Sequence, residues 1–173
     1  TSVAQIGRLV DDLFEFAQLE AGAIAAETRR SRVGEIVDSA LASVAQGAAA
    51  KGLSVTTDVD AAEDVTCSPR IERVLHTLLL NAVQHTPADG TVRLAVTCSG
   101  GSLEVQVEDT GAGIAAEDLD RVFEPFFRAD PARHVSGAGL GLAISRRIVE
   151  ALGGRITAES GSVGSRFAVS VPL

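Results

Sequence analysis

The chain has 173 residues, of which 46% are hydrophobic, and this length and composition allow one substantial core. Its formal net charge is −8 and its basic residues are scattered, which argues against binding of nucleic acid. The sequence contains neither a long apolar run nor a signal segment, so we expect a soluble globular protein. It also contains no methionine, so we expect a fragment of a longer protein.

The two cysteines, the single lysine and the absence of two common motifs exclude several classes of functional site. Cys67 and Cys98 have no metal-ligand spacing and form no disulfide framework, so we interpret both as small buried residues of a protein in a reducing compartment. Lys51 stands at the predicted end of a helix, where a cation suits the helix dipole, and no lysine is left for a P-loop. The sequence also lacks a G-x-S-x-G nucleophile elbow and an H-E-x-x-H zinc helix.

The first predicted element is an amphipathic helix that ends near Gly22. Its apolar residues recur at steps of three and four, which is typical both of a bundle helix and of an ordinary amphipathic helix. These residues are Val3, Ile6, Val10, Leu13 and Ala17. We divide the chain into this helix (residues 1–22), a linker (residues 23–30) and one domain (residues 31–173).

The next segments predict two more helices separated by a strand. The second helix runs from Val33 to about Lys51, and residues 53–59 alternate as a strand does. Ser68 and Pro69 predict the N-cap and first turn of the third helix. Its core-facing residues are Ile71, Val74, Leu75, Leu78, Leu79 and Ala82. A polar flank beside them consists of Thr77, Asn81, Gln84 and His85.

The second half of the chain is rich in predicted strands. Residues 91–97 and 102–107 predict a hairpin, and residues 155–159 and 166–171 predict a final strand pair. Between them, residues 137–142 read Gly-Ala-Gly-Leu-Gly-Leu and open a fourth helix. Each glycine costs a helix about 1 kcal/mol relative to alanine, so this run indicates either a tight turn or backbone N–H groups that bind phosphate. The mixed order of elements predicts an α+β fold with helices on one sheet face.

Four motifs stand in a fixed order: Asn81 within Leu-Leu-Leu-Asn-Ala, Asp109-x-Gly111-x-Gly113, Phe-Glu-Pro-Phe from Phe123, and the glycine run. Together they resemble the ATP-binding domain of bacterial sensor histidine kinases, in the superfamily of Hsp90, MutL and type II topoisomerases. The resemblance covers residues 70–167. It implies a two-layer α+β sandwich (Bergerat-type ATP-binding fold) with a mixed, mostly antiparallel sheet and about three helices, preceded by a partial bundle helix.

The resemblance implies ATP and Mg²⁺ as ligands and gives individual residues a role. Asp109 resembles the carboxylate that accepts a hydrogen bond from the adenine amino group, where guanine presents a second acceptor. Alone, Asp109 is also typical of a turn aspartate that caps its own loop. Asn81 resembles the catalytic Mg²⁺ ligand. The other implied nucleotide-binding residues are Gln84, His85, Gly111, Gly113, Ile114, Arg128, Arg133, Gly137, Gly139, Leu140, Gly141, Leu142 and Ser165.

The same resemblance predicts a mobile lid over about residues 128–136, anchored by phenylalanines, from which Arg128, Arg133 and His134 reach phosphate. Two positions depart from the family. Thr77 stands where kinases often carry a second asparagine and Hsp90-like ATPases a general-base glutamate, so rapid hydrolysis is disfavoured. Gln84 stands where many relatives carry a cation, which leaves one fewer charge for phosphate.

The resemblance implies a protein histidine kinase of a two-component system that donates the γ-phosphoryl group of ATP to a histidine outside this chain. Residues 1–22 resemble the end of the second dimerisation helix, and no histidine of the chain has the neighbours of a phosphoacceptor. The implied partners are the dimerisation and phosphoacceptor helices of a homodimeric parent and a response regulator receiver domain. The parent is expected in the cell membrane, with this domain in the cytoplasm.

Two alternatives to the kinase interpretation stay open. One is a superfamily ATPase that drives a conformational clamp, against which Thr77 and the bundle helix argue. The other is a non-catalytic nucleotide-sensing or dimerisation module, which the departures at Thr77 and Gln84 leave open.

Overall fold

The computed structural model describes residues 3–22, 29–59, 62–129, 138–161 and 163–173. Helices and strands follow one another as α1 (Val3–Glu20), β1 (Ser31–Arg32), α2 (Val33–Ala50), β2 (Ser54–Asp58), β3 (Thr66–Cys67), α3 (Arg70–His85), β4 (Thr91–Ser99), β5 (Ser102–Asp109), two 3-10 turns (Ala116–Asp118 and Arg121–Phe123), α4 (Gly141–Ala151), β6 (Arg155–Ser160) and β7 (Ser165–Pro172).

The larger sheet has five strands in the order β2-β4-β5-β7-β6. β2 pairs parallel to β4, and each of the other neighbouring pairs is antiparallel. β5 lies at the centre, so its last residue, Asp109, faces Val92 of β4 on one side and Ser165 of β7 on the other. The predicted mixed, mostly antiparallel sheet is therefore confirmed.

A two-stranded sheet that pairs β1 with β3 is the main element that the sequence did not predict. Ser31 lies opposite Cys67, and each strand contributes only two residues. A two-residue strand shows no periodicity, which is why β3 was missed.

Three helices, α2, α3 and α4, form the second layer, where α3 packs on α2, α4, β4 and β5. All six core-facing residues predicted for α3 are buried, and Leu78, Leu79 and Ile144 are fully inaccessible. Each buried side chain of this size contributes about 1.5–3 kcal/mol to folding. The predicted α+β sandwich is thus confirmed, and α3 is a rigid support for its polar flank.

Helix α1 contacts the domain through its C-terminal part and leaves the predicted bundle stripe exposed. Leu19 is buried, and Arg73 of α3 pairs with Asp12 at 2.5 Å and with Glu15 at 3.4 Å. The stripe residues Val3, Ile6, Val10 and Leu13 are 47–88% exposed. Within the described residues, no helix has both the length and the apolar character needed to cross a bilayer.

The boundaries of α3 and the two cysteines refine the sequence analysis. The amide of Arg70 donates to the hydroxyl of Ser68 at 3.3 Å, so the predicted serine cap forms although the helix itself begins only at Arg70. Cys67 is buried, and burial raises the pKa of its thiol to about 11. The interpretation of Cys98 as fully buried was wrong, because it lies near the exposed end of β4 and is only half-buried.

Candidate functional site

Asp109 is a buried carboxylate, 7% exposed, at the end of the central strand. Its Oδ1 accepts a hydrogen bond from the amide of Gly111 at 2.8 Å, and its Oδ2 accepts one from the hydroxyl of Ser165 at 2.5 Å. The residue therefore does cap its own loop. Because each oxygen of an ionised carboxylate has two acceptor sites, each still has one for a ligand.

Two glycines allow the chain to pass close to this carboxylate. A Cβ atom at Gly111 would lie 2.6 Å from the main-chain oxygen of His85 and 2.7 Å from Oδ1 of Asp109. A Cβ atom at Gly164 would lie 1.7 Å from the main-chain oxygen of Asp109. Only glycine fits such approaches, and the first of them brings the end of α3 against the Asp109 turn.

The loop after Asp109 is fastened to the β6–β7 hairpin. Gly113 has a φ of 75°, and the amide of Ile114 donates to the hydroxyl of Ser160 at 2.8 Å. That hydroxyl donates to the main-chain oxygen of Gly164 at 3.2 Å. The sequence analysis missed Ser160, because a serine at the end of a strand carries no specific signal.

The polar flank of α3 ends beside this loop. Asn81 and Gln84 are half-buried, whereas His85, the last residue of the helix, is exposed. No hydrogen bond joins the side-chain amide of Asn81 to another residue that the structure describes. No group of three acidic, histidine or cysteine side chains suited to a metal occurs among the described residues. The side-chain oxygen of Asn81 could supply one ligand to a Mg²⁺ ion whose other ligands are phosphate and water.

The fourth helix begins against α3. Gly141, its first residue, would carry a Cβ atom 3.0 Å from the methyl group of Thr77, which lies one turn before Asn81. Leu140, just before the helix, is buried, and Leu142 is half-buried against the core. The N-terminus of α4, with its unpaired N–H groups, therefore lies next to the turn that precedes Asn81.

The glycine run is also tied to the phenylalanine box. Gly139 has a φ of 74°, and its main-chain oxygen accepts a hydrogen bond from the amide of Phe126 at 2.9 Å. Phe126 is 59% exposed and itself adopts a φ of 64°, a region that bulky residues rarely occupy. Phe123 is buried and packs edge-on against Phe167.

Not every predicted binding residue joins the Asp109 turn. Arg128 is exposed and lines a separate open cavity of about 440 Å³, together with Arg121 and Phe127. The guanidinium of Arg121 lies 4.4 Å from the centre of the Phe127 ring. Arg133 and Gly137, as well as His134 and most of the predicted lid, lie outside the described residues.

The ammonium group of Lys51 does not interact with the end of its own helix, α2, as the sequence analysis had predicted. α2 ends at Ala50, as predicted, but the ammonium group of Lys51 donates to the main-chain oxygens of Val83, Gln84 and Thr86 at 2.8, 2.8 and 3.0 Å. The cation therefore stabilises the end of α3 instead of its own helix. The sequence could not reveal which helix end would lie within reach of the side chain.

The surroundings of His76 shift the pKa of its imidazole. It is half-buried on α3, and burial together with the neighbouring Arg73 guanidinium lowers the pKa of its imidazole below the ordinary value. The side chain is thus neutral at pH 7.

The chain matches one known protein family and is similar in sequence to known proteins. Residues 66–173 match the family described as histidine kinase-, DNA gyrase B-, and HSP90-like ATPase. The chain is 31% identical over 172 residues to the sensor histidine kinase RcsC of Salmonella typhimurium, with 96% of this chain and 18% of the relative aligned. The chain thus spans about a fifth of the length of that relative.

Two solved structures are similar to most of the chain. The full-length histidine kinase ShkA, in complex with AMPPNP, shares 29% identity and a TM-score of 0.83 over 95% of this chain and 35% of that one. The nucleotide-free catalytic domain of histidine kinase ThkA shares 25% identity and a TM-score of 0.75 over 84% of this chain and 95% of that one.

Proposed function

Because the chain belongs to the histidine kinase-, DNA gyrase B- and HSP90-like ATPase family, we propose that it binds Mg·ATP and serves as the phosphate-donating domain of a sensor histidine kinase. The family predicted from the four motifs is confirmed. The kinase branch is supported by its relatives, since RcsC is named a sensor histidine kinase.

The buried carboxylate of Asp109 is the observation that carries the proposal. Its orientation is fixed by Gly111 and Ser165, and each oxygen retains an acceptor site. An exocyclic amino group satisfies such an acceptor, whereas a carbonyl leaves two acceptors facing each other at a cost of about 1–3 kcal/mol. This chemistry selects adenine over guanine.

The phosphate end of the nucleotide is assigned to Asn81 and to the N-terminus of α4. The Asn81 amide oxygen suits a hard cation, and the first N–H groups of α4 suit an anion. When bound, Mg²⁺ neutralises part of the triphosphate charge. Within the described residues, the contact between Gly141 and Thr77 keeps the α4 N-terminus close to the Asn81 turn.

Thr77 distinguishes phosphoryl transfer from the clamp-ATPase alternative. Its methyl group lies against the start of α4, and a threonine hydroxyl cannot serve as a general base at neutral pH. The site then lacks, at this position, a group that activates water for attack on phosphate. We infer that the domain instead aligns the γ-phosphoryl group with a histidine supplied by a helix.

The exposed stripe of α1 supports the assignment of residues 1–22 to a dimerisation helix. Val3, Ile6, Val10 and Leu13 form an apolar face that a second helix would cover in a bundle. In this proposal the parent is a homodimer in the membrane, the domain lies on the cytoplasmic side, and a response regulator receives the phosphate.

Two measurements test the proposed function. Calorimetry is expected to detect binding of Mg·ATP and weaker binding of Mg·GTP. Incubation with γ-labelled ATP is expected to leave the chain unlabelled and to label the parent's helical domain when it is added, as acid-labile phosphohistidine.

Specific outcomes would contradict this account. Equal affinity for both nucleotides removes the adenine assignment. Self-labelling that disappears on substitution of His76 or His85 shows that the acceptor lies within the chain. Binding of ATP without labelling of the added helices favours the nucleotide-sensing alternative.

A further inference from the structure

The last turn of α3 is held by one side chain from another element. The Lys51 ammonium has three donors, and all three are used on the main-chain oxygens of Val83, Gln84 and Thr86. Helix-terminal carbonyl groups lack partners within the helix. The hydroxyl of Thr86 donates to the oxygen of Ala82 at 2.6 Å and completes the cap.

Lys51 is also fixed on its own side. Gly52, with a φ of 64°, turns the chain directly after it, and the amide of Asp89 donates to the main-chain oxygen of Lys51 at 3.0 Å. The Lys51 side chain is half-buried, so it is more restricted in its motion than a lysine side chain that extends into solvent. It therefore ties α2, the end of α3 and the loop before β4 into one unit.

Asn81 lies in the turn that Lys51 secures, two residues before Val83. We propose that Lys51 is a positioning residue that orients the Asn81 turn toward the start of α4 and thereby sets how much Mg²⁺ contributes to nucleotide affinity. This inference rests on the function proposed above. It concerns a residue that touches neither nucleotide nor metal.

The carboxylate assigned to the base is held mainly by groups that Lys51 does not contact, although the Asp109 turn lies against the end of α3 at Gly111. Asp109 is held by the amide of Gly111, by the hydroxyl of Ser165 and by strands on both sides. Loss of the lysine contacts is therefore expected to affect the metal-dependent part of binding and to spare the base-dependent part.

The experiment compares ATP affinity in excess Mg²⁺ with ATP affinity in EDTA, by calorimetry, for the wild-type chain and for Lys51→Met. We expect the variant to lose about tenfold in affinity with Mg²⁺ but less than about twofold in EDTA, as for residues that orient a metal ligand. Hydrogen exchange of the amides of residues 82–86 is expected to increase in the same variant. An unchanged ratio of the two affinities overturns the proposal.

Val37→Ala is the matched control for general destabilisation. Val37 is buried in α2. Its side chain is aliphatic, so it forms no hydrogen bond to the carbonyl groups of α3. Its substitution should lower the melting temperature while leaving the affinity ratio unchanged. A ratio that falls equally in Val37→Ala overturns the assignment to Lys51.

A second variant covers failure of Lys51→Met to fold. Lys51→Gln keeps two hydrogen-bond donors and removes the charge, and this variant should lose ATP affinity only in the presence of Mg²⁺. Equal ratios of the two ATP affinities in this variant and in the wild type contradict the proposal. A wild-type chain that binds no ATP under either condition contradicts the proposed function instead. The two failures are therefore distinguishable.

Discussion

Replacing Asp109 by asparagine tests the base assignment with little change in shape. The carboxylate receives the amide of Gly111 on one oxygen and the hydroxyl of Ser165 on the other. An asparagine side chain has one oxygen and one amino group. The amide of Gly111 can only donate, whereas a hydroxyl can also accept, so we expect the new amino group on the side of Ser165.

The expected loss follows from the hydrogen bond that disappears. A hydrogen bond to a charged group contributes about 1.5–3 kcal/mol, which corresponds to roughly 10- to 150-fold in affinity. Asp109→Asn should weaken ATP binding within this range. The same variant should lose preference for ATP over inosine triphosphate, because its amino group can donate to the carbonyl of hypoxanthine.

Calorimetry with both nucleotides, at a temperature where each protein is folded, measures this effect. Glu108→Gln is the control, because it makes the same chemical change one residue earlier, where Glu108 pairs with Arg166 and Arg93 on the sheet surface. The control should bind both nucleotides as the wild type does. If Asp109→Asn retains both the ATP affinity and the nucleotide preference, Asp109 does not read the base.

Three further changes test the surroundings of the site. Gly164→Ala should reduce the free energy of unfolding in urea by about 2–5 kcal/mol, since its Cβ meets the Asp109 oxygen, whereas Gly100→Ala, also at positive φ but with open space around it, should cost only about 1–2 kcal/mol. Burial raises the pKa of the Cys67 thiol from 9.0 to about 11. The contribution of the neutral thiol to the free energy of unfolding should therefore be complete below pH 9 and decline toward pH 11. Urea unfolding across that range should show a smaller decline for Cys67→Ala. Arg73→Ala should speed hydrogen exchange in α1 while hardly changing the melting temperature, because partly exposed ion pairs contribute little to global stability; unchanged exchange in α1 would show that these pairs do not hold the helix.

Local patterns were sufficient for most of the fold. The apolar stripe of α3 and the alternation in β4, β5 and β7 each repeat over several turns or pairs, and the structure buries the residues that these patterns select. The parallel pairing of β2 with β4 was not specified, because strand alternation is the same in either direction.

The parts of the site that escaped prediction depend on neighbours distant in the sequence. Lys51 contacts carbonyl groups more than 30 positions away, and Ser160 contacts an amide 46 positions away. Neither residue has a local pattern that distinguishes it from a surface lysine or a strand-end serine. The role of Asp109 was inferred from the resemblance carried by the four motifs, and the roles assigned to Asp109, to the glycine run and to Asn81 all stay predictions.

The central position of β5 has a consequence for synthesis of the protein on the ribosome. Asp109 obtains one of its two anchors from Ser165, the first residue of β7, which follows all the other strands in the sequence. A nascent chain is made from its N-terminus, so α3 and the β4–β5 hairpin emerge before β7 can pair with β5. The carboxylate is therefore incompletely oriented until β7 has been made and has paired with β5, and nucleotide recruitment becomes one of the last steps in folding of the domain.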